Sequence, residues 1–235
     1  MNRRKLAHEY DGKSIHRHIT EATTDPGEQA DFLCYVMGPY TPFDVTYAYP
    51  EETIETDSPY IEAGLFDPEK HEDMEETLQN VRTELRTDPG IRAFVATDVG
   101  VPTRREAQKT ELEERGLSPL DQSIEYAIVS DAVVFILDEA GLNAGVGSEV
   151  GAILGEFNLR IRNEEPNRKP RRRFRIYLSN EFSSASIEEI PYGYDIDVYQ
   201  YRNETDLLRN LRHFVTNVET LTEYEGLELY NPPES

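Results

Sequence analysis

Two adjoining segments constrain what this chain can fold into. Ser130-Asp131-Ala-Val-Val-Phe-Ile-Leu-Asp138 is an apolar run that ends in an acid. Asn143-Ala-Gly-Val-Gly-Ser-Glu149-Val-Gly151-Ala follows it. The first reads as a buried strand. The second reads as a Gly-rich loop whose Glu149 opens an apolar helix. Strand, tight turn and helix N-terminus together form the place where an α/β sheet puts its ligands. Backbone N–H groups and the helix dipole there favour an ionised carboxylate.

Similar runs recur along the chain. Phe32–Met37, Arg92–Thr97, Ala132–Leu137, Phe174–Leu178 and Asp195–Tyr201 are short and mostly continuous in apolar character. Helical patterns separate them. Met74, Leu78, Val81 and Leu85 recur at helical spacing after Asp67-Pro-Glu, and Pro89-Gly90 closes that helix. Residues 103–115 read as a charged helix, and Leu120–Val129 as another. The Glu149 helix runs to about Leu159. A last helix places Leu207, Leu208, Leu211, Phe214, Val215, Val218 and Leu221 on one face. Continuous apolar strands alternating with helices predict an α/β fold: a five-stranded parallel sheet with helices on both faces. Residues 1–30 are polar and aperiodic, and read as an arm. Residues 31–222 form one α/β domain, and 223–235 a tail. Residues 40–66, rich in Pro, Tyr, Thr and acids, read as a long loop of the kind that often carries function.

Charge narrows the partners. The chain carries 46 acidic and 24 basic residues, a net charge of −22. Binding to bulk nucleic acid is disfavoured, because phosphate neutralisation needs an excess of Lys and Arg. An acidic surface over an ordinary apolar fraction suggests adaptation to high salt, where self-repulsion is screened. Six of the 24 basic residues fall in the eight positions Arg168–Arg175. That run reads as a solvated loop or an inter-subunit contact, since no aromatic interleaving marks a stacking surface. Cys34 is the only cysteine, which excludes an internal disulfide and a Cys-based zinc site, and its apolar neighbours make it a packing residue. The five histidines form no metal-ligand set, and no cofactor is called for. Met1-Asn-Arg-Arg-Lys-Leu lacks the apolar run of a secretory signal, and no segment has the length of a membrane span, so the expected location is cytoplasmic.

Candidate site residues lie at the carboxyl ends of the expected strands. Gly38, Pro39 and Tyr40 follow the first, where Gly admits close approach of a ligand and Pro stiffens the turn. Asp98 follows the second and Asp138 the third. Glu149 is the best catalytic candidate, because a carboxylate can attack an anomeric carbon or stabilise an oxocarbenium-like centre. Its plainer explanation is a helix-initiating Glu favoured by the dipole. Asn143, Gly145 and Ser148 share its loop. Asp121 is placed to polarise a substrate group, whereas Asp131 reads as a cap on the turn into its strand.

Together these motifs resemble the nucleoside 2-deoxyribosyltransferase-like superfamily over roughly residues 32–160. The matching residues are Tyr35-Val-Met-Gly-Pro-Tyr40, Asp121 in Leu-Asp-Gln, Ser130-Asp131-Ala-Val-Val-Phe-Ile, and Gly-Val-Gly-Ser-Glu149-Val-Gly-Ala. Where that family has an Asp two residues before the loop Gly, this chain has Asn143. The resemblance implies cleavage or transfer of the N-glycosidic bond of a nucleoside or nucleotide. Glu149 would be nucleophile, Asp121 would assist the leaving base, and Tyr40 and Asn143 would orient the sugar. It also implies a homo-oligomer. Two alternatives stand beside it: a non-catalytic nucleotide-sensing or interaction domain of the same fold, and a phosphoribohydrolase-type Rossmann protein, whose usual Pro-Gly-Gly loop is absent here.

Overall fold

The computed structural model describes residues 9–23, 31–38, 68–110, 116–138, 143–157, 171–180, 182 and 185–225. A short antiparallel hairpin, β1 (Glu9–Tyr10) and β2 (Lys13–Ser14), leads into helix α1 (Ile15–Ala22). The main sheet then begins with β3 (Leu33–Met37), followed by α2 (Pro68–Thr87) and β4 (Arg92–Phe94). A 3-10 turn (Ala96–Asp98) and α3 (Arg104–Lys109) precede α4 (Pro119–Val129) and β5 (Ala132–Leu137). Helix α5 (Asn143–Glu156) and β6 (Phe174–Ser179) come next. Two short helices, α6 (Ala185–Glu188) and α7 (Ile190–Tyr194), lead to β7 (Val198–Tyr201) and α8 (Glu204–Glu225).

The five strands form one parallel sheet in the order β4-β3-β5-β6-β7. Alternation along each strand divides the core in two. Leu33, Tyr35 and Met37 of β3 face the side covered by α1, α4 and α5. Cys34 and Val36 face the side covered by α2 and α8. The expected parallel α/β fold with helices on both faces is therefore the fold observed. Cys34 is a free, fully buried thiol in the second layer. Among the described residues no helix is long and apolar enough to cross a membrane.

The order defines a switch point. From β3 the chain passes to β4 on one side and later to β5 on the other, so a crevice opens between the carboxyl ends of β3 and β5.

The N-terminal arm is corrected in part. Residues 9–23 belong to the domain, and Ile15 and Ile19 of α1 are fully buried in its core. Their spacing of four residues is a helical repeat too short to stand out in a polar segment. Ser14 caps this helix by accepting from the Arg17 N–H at 3.2 Å. The second strand is shorter than expected, since its last residues turn into the 3-10 segment that holds Asp98. The fifth begins at Val198 rather than Asp195, because α7 ends in a left-handed Asp195 (φ 54°). The helix α2 ends as its sequence dictates: Gly90 adopts φ +85° and its N–H bonds to the Leu85 carbonyl at 3.2 Å. The long loop 40–66 lies outside the described residues.

Gly38 is needed for packing. A Cβ there would stand 2.6 and 2.8 Å from the two methyl carbons of Leu78, which is itself fully buried in α2. Gly38→Ala should therefore destabilise the protein by about 1–3 kcal/mol, the usual cost of overpacking. Urea unfolding checks this, and Leu78→Val in the same chain should restore part of the loss.

Candidate functional site

Glu149 is positioned by α5, which packs against α4 on one face of the sheet. The helix starts at Asn143, so Glu149 is its seventh residue and sits in the second turn. The Gly-rich stretch expected as a loop is thus the first two turns of a helix. Asn143, Gly145 and Ser148 belong to those turns, and their side chains lie outside what is described. With Glu149 removed from the terminus, the backbone amides of the first turn do not govern its charge. Burial does, and it pushes the Glu149 carboxyl up to about 7. This reverses the expectation of a dipole-stabilised anion.

The neighbour that Glu149 influences is Tyr35 in the middle of β3. Tyr35 is 2 % exposed, and its phenol is held well above the usual range, first by burial and then by the Glu149 charge. Ser123 of α4 is hydrogen-bonded to that phenol. The ring is clamped by aromatic packing. It stacks on Phe94 at 5.1 Å and meets the edge of Tyr126 at 5.7 Å. Tyr35 of β3 and Ser123 of α4 are thus joined by a hydrogen bond, and the Glu149 carboxyl of α5 acts on the same phenol through its charge. Residue-by-residue reading missed Tyr35 and Ser123 as site groups. The available signal was a single Tyr inside the otherwise aliphatic run Leu33-Cys-Tyr-Val-Met37.

Helices that run antiparallel to the strands start near the carboxyl edge, and Asp121 stands in the first turn of α4. Ser118 caps that helix, accepting from the Asp121 N–H at 3.1 Å. The Asp121 carboxylate pairs with Arg104 of α3 at 3.3 Å. Beside this helix a cavity of about 370 Å³ opens at the end of β4, lined by Thr97, Glu106, Thr110 and Gln122.

On the opposite face of the sheet, Asp138 follows β5 and accepts a hydrogen bond from the Tyr201 hydroxyl at 3.1 Å. Gly38 lies on that face too, covered by Leu78. Asp98 is engaged by α2. Its carboxylate accepts from Arg82 at 2.5 Å, from Arg86 at 3.1 Å and from the Val95 N–H at 3.1 Å. Pro39 and Tyr40 lie outside the described residues. Glu149 and Asp138 thus stand at the same edge of the sheet but on different faces of it. Among the described residues no group of three His, Cys, Asp or Glu side chains is arranged to hold a metal ion.

Where the basic run is described, two of its arginines turn inward. Arg173 reaches back to the backbone carbonyls of Ser130 and Asp131. Arg171 is buried and its Nε donates to the Tyr194 carbonyl at 2.8 Å. Arg168 to Pro170 lie outside the described residues.

The model of a family described as Domain of unknown function (DUF7509) matches residues 17–231 of the chain. No curated protein matches it.

Proposed function

The chain belongs to the DUF7509 family, and within that family we propose that it cleaves or transfers the N-glycosidic bond of a nucleoside or nucleotide, with Glu149 as nucleophile. The observation that supports this most is the Glu149 carboxyl, partly buried and raised to about 7 by desolvation, whose charge acts on the phenol of Tyr35 near the switch point of the sheet. In the reaction the ionised carboxylate forms a bond to the anomeric carbon as the bond from that carbon to the base nitrogen breaks. The electron pair leaves with the base, which takes up a proton. Water or a second base then displaces Glu149. A partly desolvated carboxylate is a stronger nucleophile than a hydrated one. Asp121 remains the candidate for assisting the base, and its pairing with Arg104 would have to loosen when a base arrives. The resemblance of the motifs adds a likeness to glycosidic chemistry, and the same likeness suggests that a second subunit completes the site.

Incubating the full chain in concentrated salt with a panel of nucleosides and nucleotides tests the proposal. Free base released by the wild type should vanish in Glu149→Gln, a near-isosteric change. The rate should rise with pH through about 7, because only the ionised carboxyl attacks. A rate that falls over that range would make Glu149 an acid rather than a nucleophile.

A second reading is a nucleotide-binding module without turnover. It is favoured by the way Asp98 and Asp121 are already engaged by Arg82, Arg86 and Arg104. Saturable binding with no base release, unchanged in Glu149→Gln, would select it.

A further inference from the structure

The amino edge of the sheet, at the far end of the strands from the crevice, carries a cleft of about 420 Å³. It opens between the segments leading into β6 and β7 and the second half of α8. Arg171, Arg172 and Arg175 line it, with Asp195 and Asp197. Three guanidinium groups at one cleft run against the field of a chain of net charge −22.

Arg175 supplies the more specific clue. Its guanidinium lies 5.0 Å from the centre of the Phe214 ring, which holds the plane in place. Its Nη2 donates to Asp197 at 2.8 Å, while its Nε is buried and has no hydrogen-bond partner among the described residues. The Nε and Nη2 donors form the side of the fork that a two-oxygen acceptor grips. Asp197 uses half of that side, and its own side chain is 78 % exposed. The pair is therefore incompletely matched and open to replacement from solvent.

We propose that this cleft is a second binding site, for a small organic phosphate whose phosphoryl oxygens take the Arg175 fork in place of Asp197. A monocarboxylate would only exchange with Asp197, which the fold already holds at high local concentration. A phosphate monoester carries a charge of about −1.5 to −2 and three acceptor oxygens. It can engage Arg175 together with Arg172, which a single carboxylate does less well. Asn217 and Thr220 of α8 offer neutral polar groups, and Val218 and Leu221 an apolar strip for the organic part. A six-residue strand spans about 20 Å, so an occupant here does not compete with one at Glu149.

Titration calorimetry on the full chain at constant salt, with glycerol phosphate as probe and acetate as comparison, tests this. Glycerol phosphate has no N-glycosidic bond, so its binding stands apart from the reading of Glu149. It should bind saturably and more tightly than acetate. Arg175→Gln should weaken it about tenfold or more, since a charged hydrogen bond is lost. Arg172→Ala, an exposed change that spares the core, should weaken it severalfold. Asp197→Asn should tighten it, whereas Glu72→Gln, the same charge change on the exposed face of α2, should not. Three results overturn the proposal: no saturable binding, affinity unchanged in Arg172→Ala, or equal tightening by Glu72→Gln and Asp197→Asn. Acetate binding as tightly as glycerol phosphate would overturn the choice of phosphate.

Discussion

Replacing Glu149 with Gln should stabilise this protein by about 3 kcal/mol above neutral pH, and by little below pH 4.5. Burial raises the Glu149 carboxyl from 4.5 to about 7, and that gap corresponds to about 3 kcal/mol. The direction follows from proton linkage. Below 4.5 the group is protonated in both folded and unfolded chains and costs nothing. Between 4.5 and about 7 the folded chain keeps a proton that the unfolded chain has released, so stability falls as pH rises. Above about 7 the folded chain holds a partly buried anion, and the full penalty applies. Gln removes the titration while filling the same space. For a chain of this size the gain at pH 8 corresponds to about 6–12 °C in melting temperature. Thermal unfolding at pH 5 and pH 8 in the same salt measures it. Equal effects of the substitution at both pH values would mean that Glu149 is not buried as described. A residue that destabilises its own fold is expected where function demands a strained or desolvated group. The same variant that gains stability should lose base release.

The second large effect should come from Asp131. Its carboxylate accepts the Leu33 N–H at 2.7 Å, and its own N–H donates to the Leu33 carbonyl at 2.9 Å. The two residues thus lock the starts of β3 and β5 together. Arg173 donates from Nε to the Asp131 carbonyl at 2.9 Å and also reaches the Ser130 carbonyl. Its guanidinium is lowered in pKa by burial, and the Asp131 charge opposes that. Asp131→Ala would leave a buried N–H without its acceptor and a buried cation with less compensation. Leaving a buried N–H without its acceptor costs about 1–3 kcal/mol, and more where that acceptor is charged. Asp131→Asn keeps an acceptor oxygen but not the charge, and should cost less than Ala. Urea unfolding of the three proteins orders them. An Ala variant within about 1 kcal/mol of wild type would show that the Leu33 N–H does not depend on the carboxylate.

Asp131 also shows how far local reading reaches. As a cap on the turn into its strand it is legible from Ser130-Asp131 followed by an apolar run. That its acceptor serves a strand 98 residues earlier in the chain is not. Gly38 has the same character. The sequence marks a glycine that admits close approach, but what approaches it among the described residues is the Leu78 side chain from α2. Asp98 reads as a free acid at a strand end. Arg82 and Arg86, four residues apart on one face of α2, converge on it only when that helix docks.

The parallel sheet, its helices on both faces and the crevice edge followed from the sequence alone. Apolar period, Gly and Pro stops and chain order are local properties that every residue of a strand or helix repeats. Tertiary structure decided the rest. It turned the Gly-rich stretch into helix, because α5 gains its stability from packing on α4 and β5 rather than from helix propensity. It drew α1 into the core through two isoleucines that carry almost no pattern. It set the charge state of Glu149, since desolvation depends on which elements close over a carboxyl, and no spacing in the sequence records that.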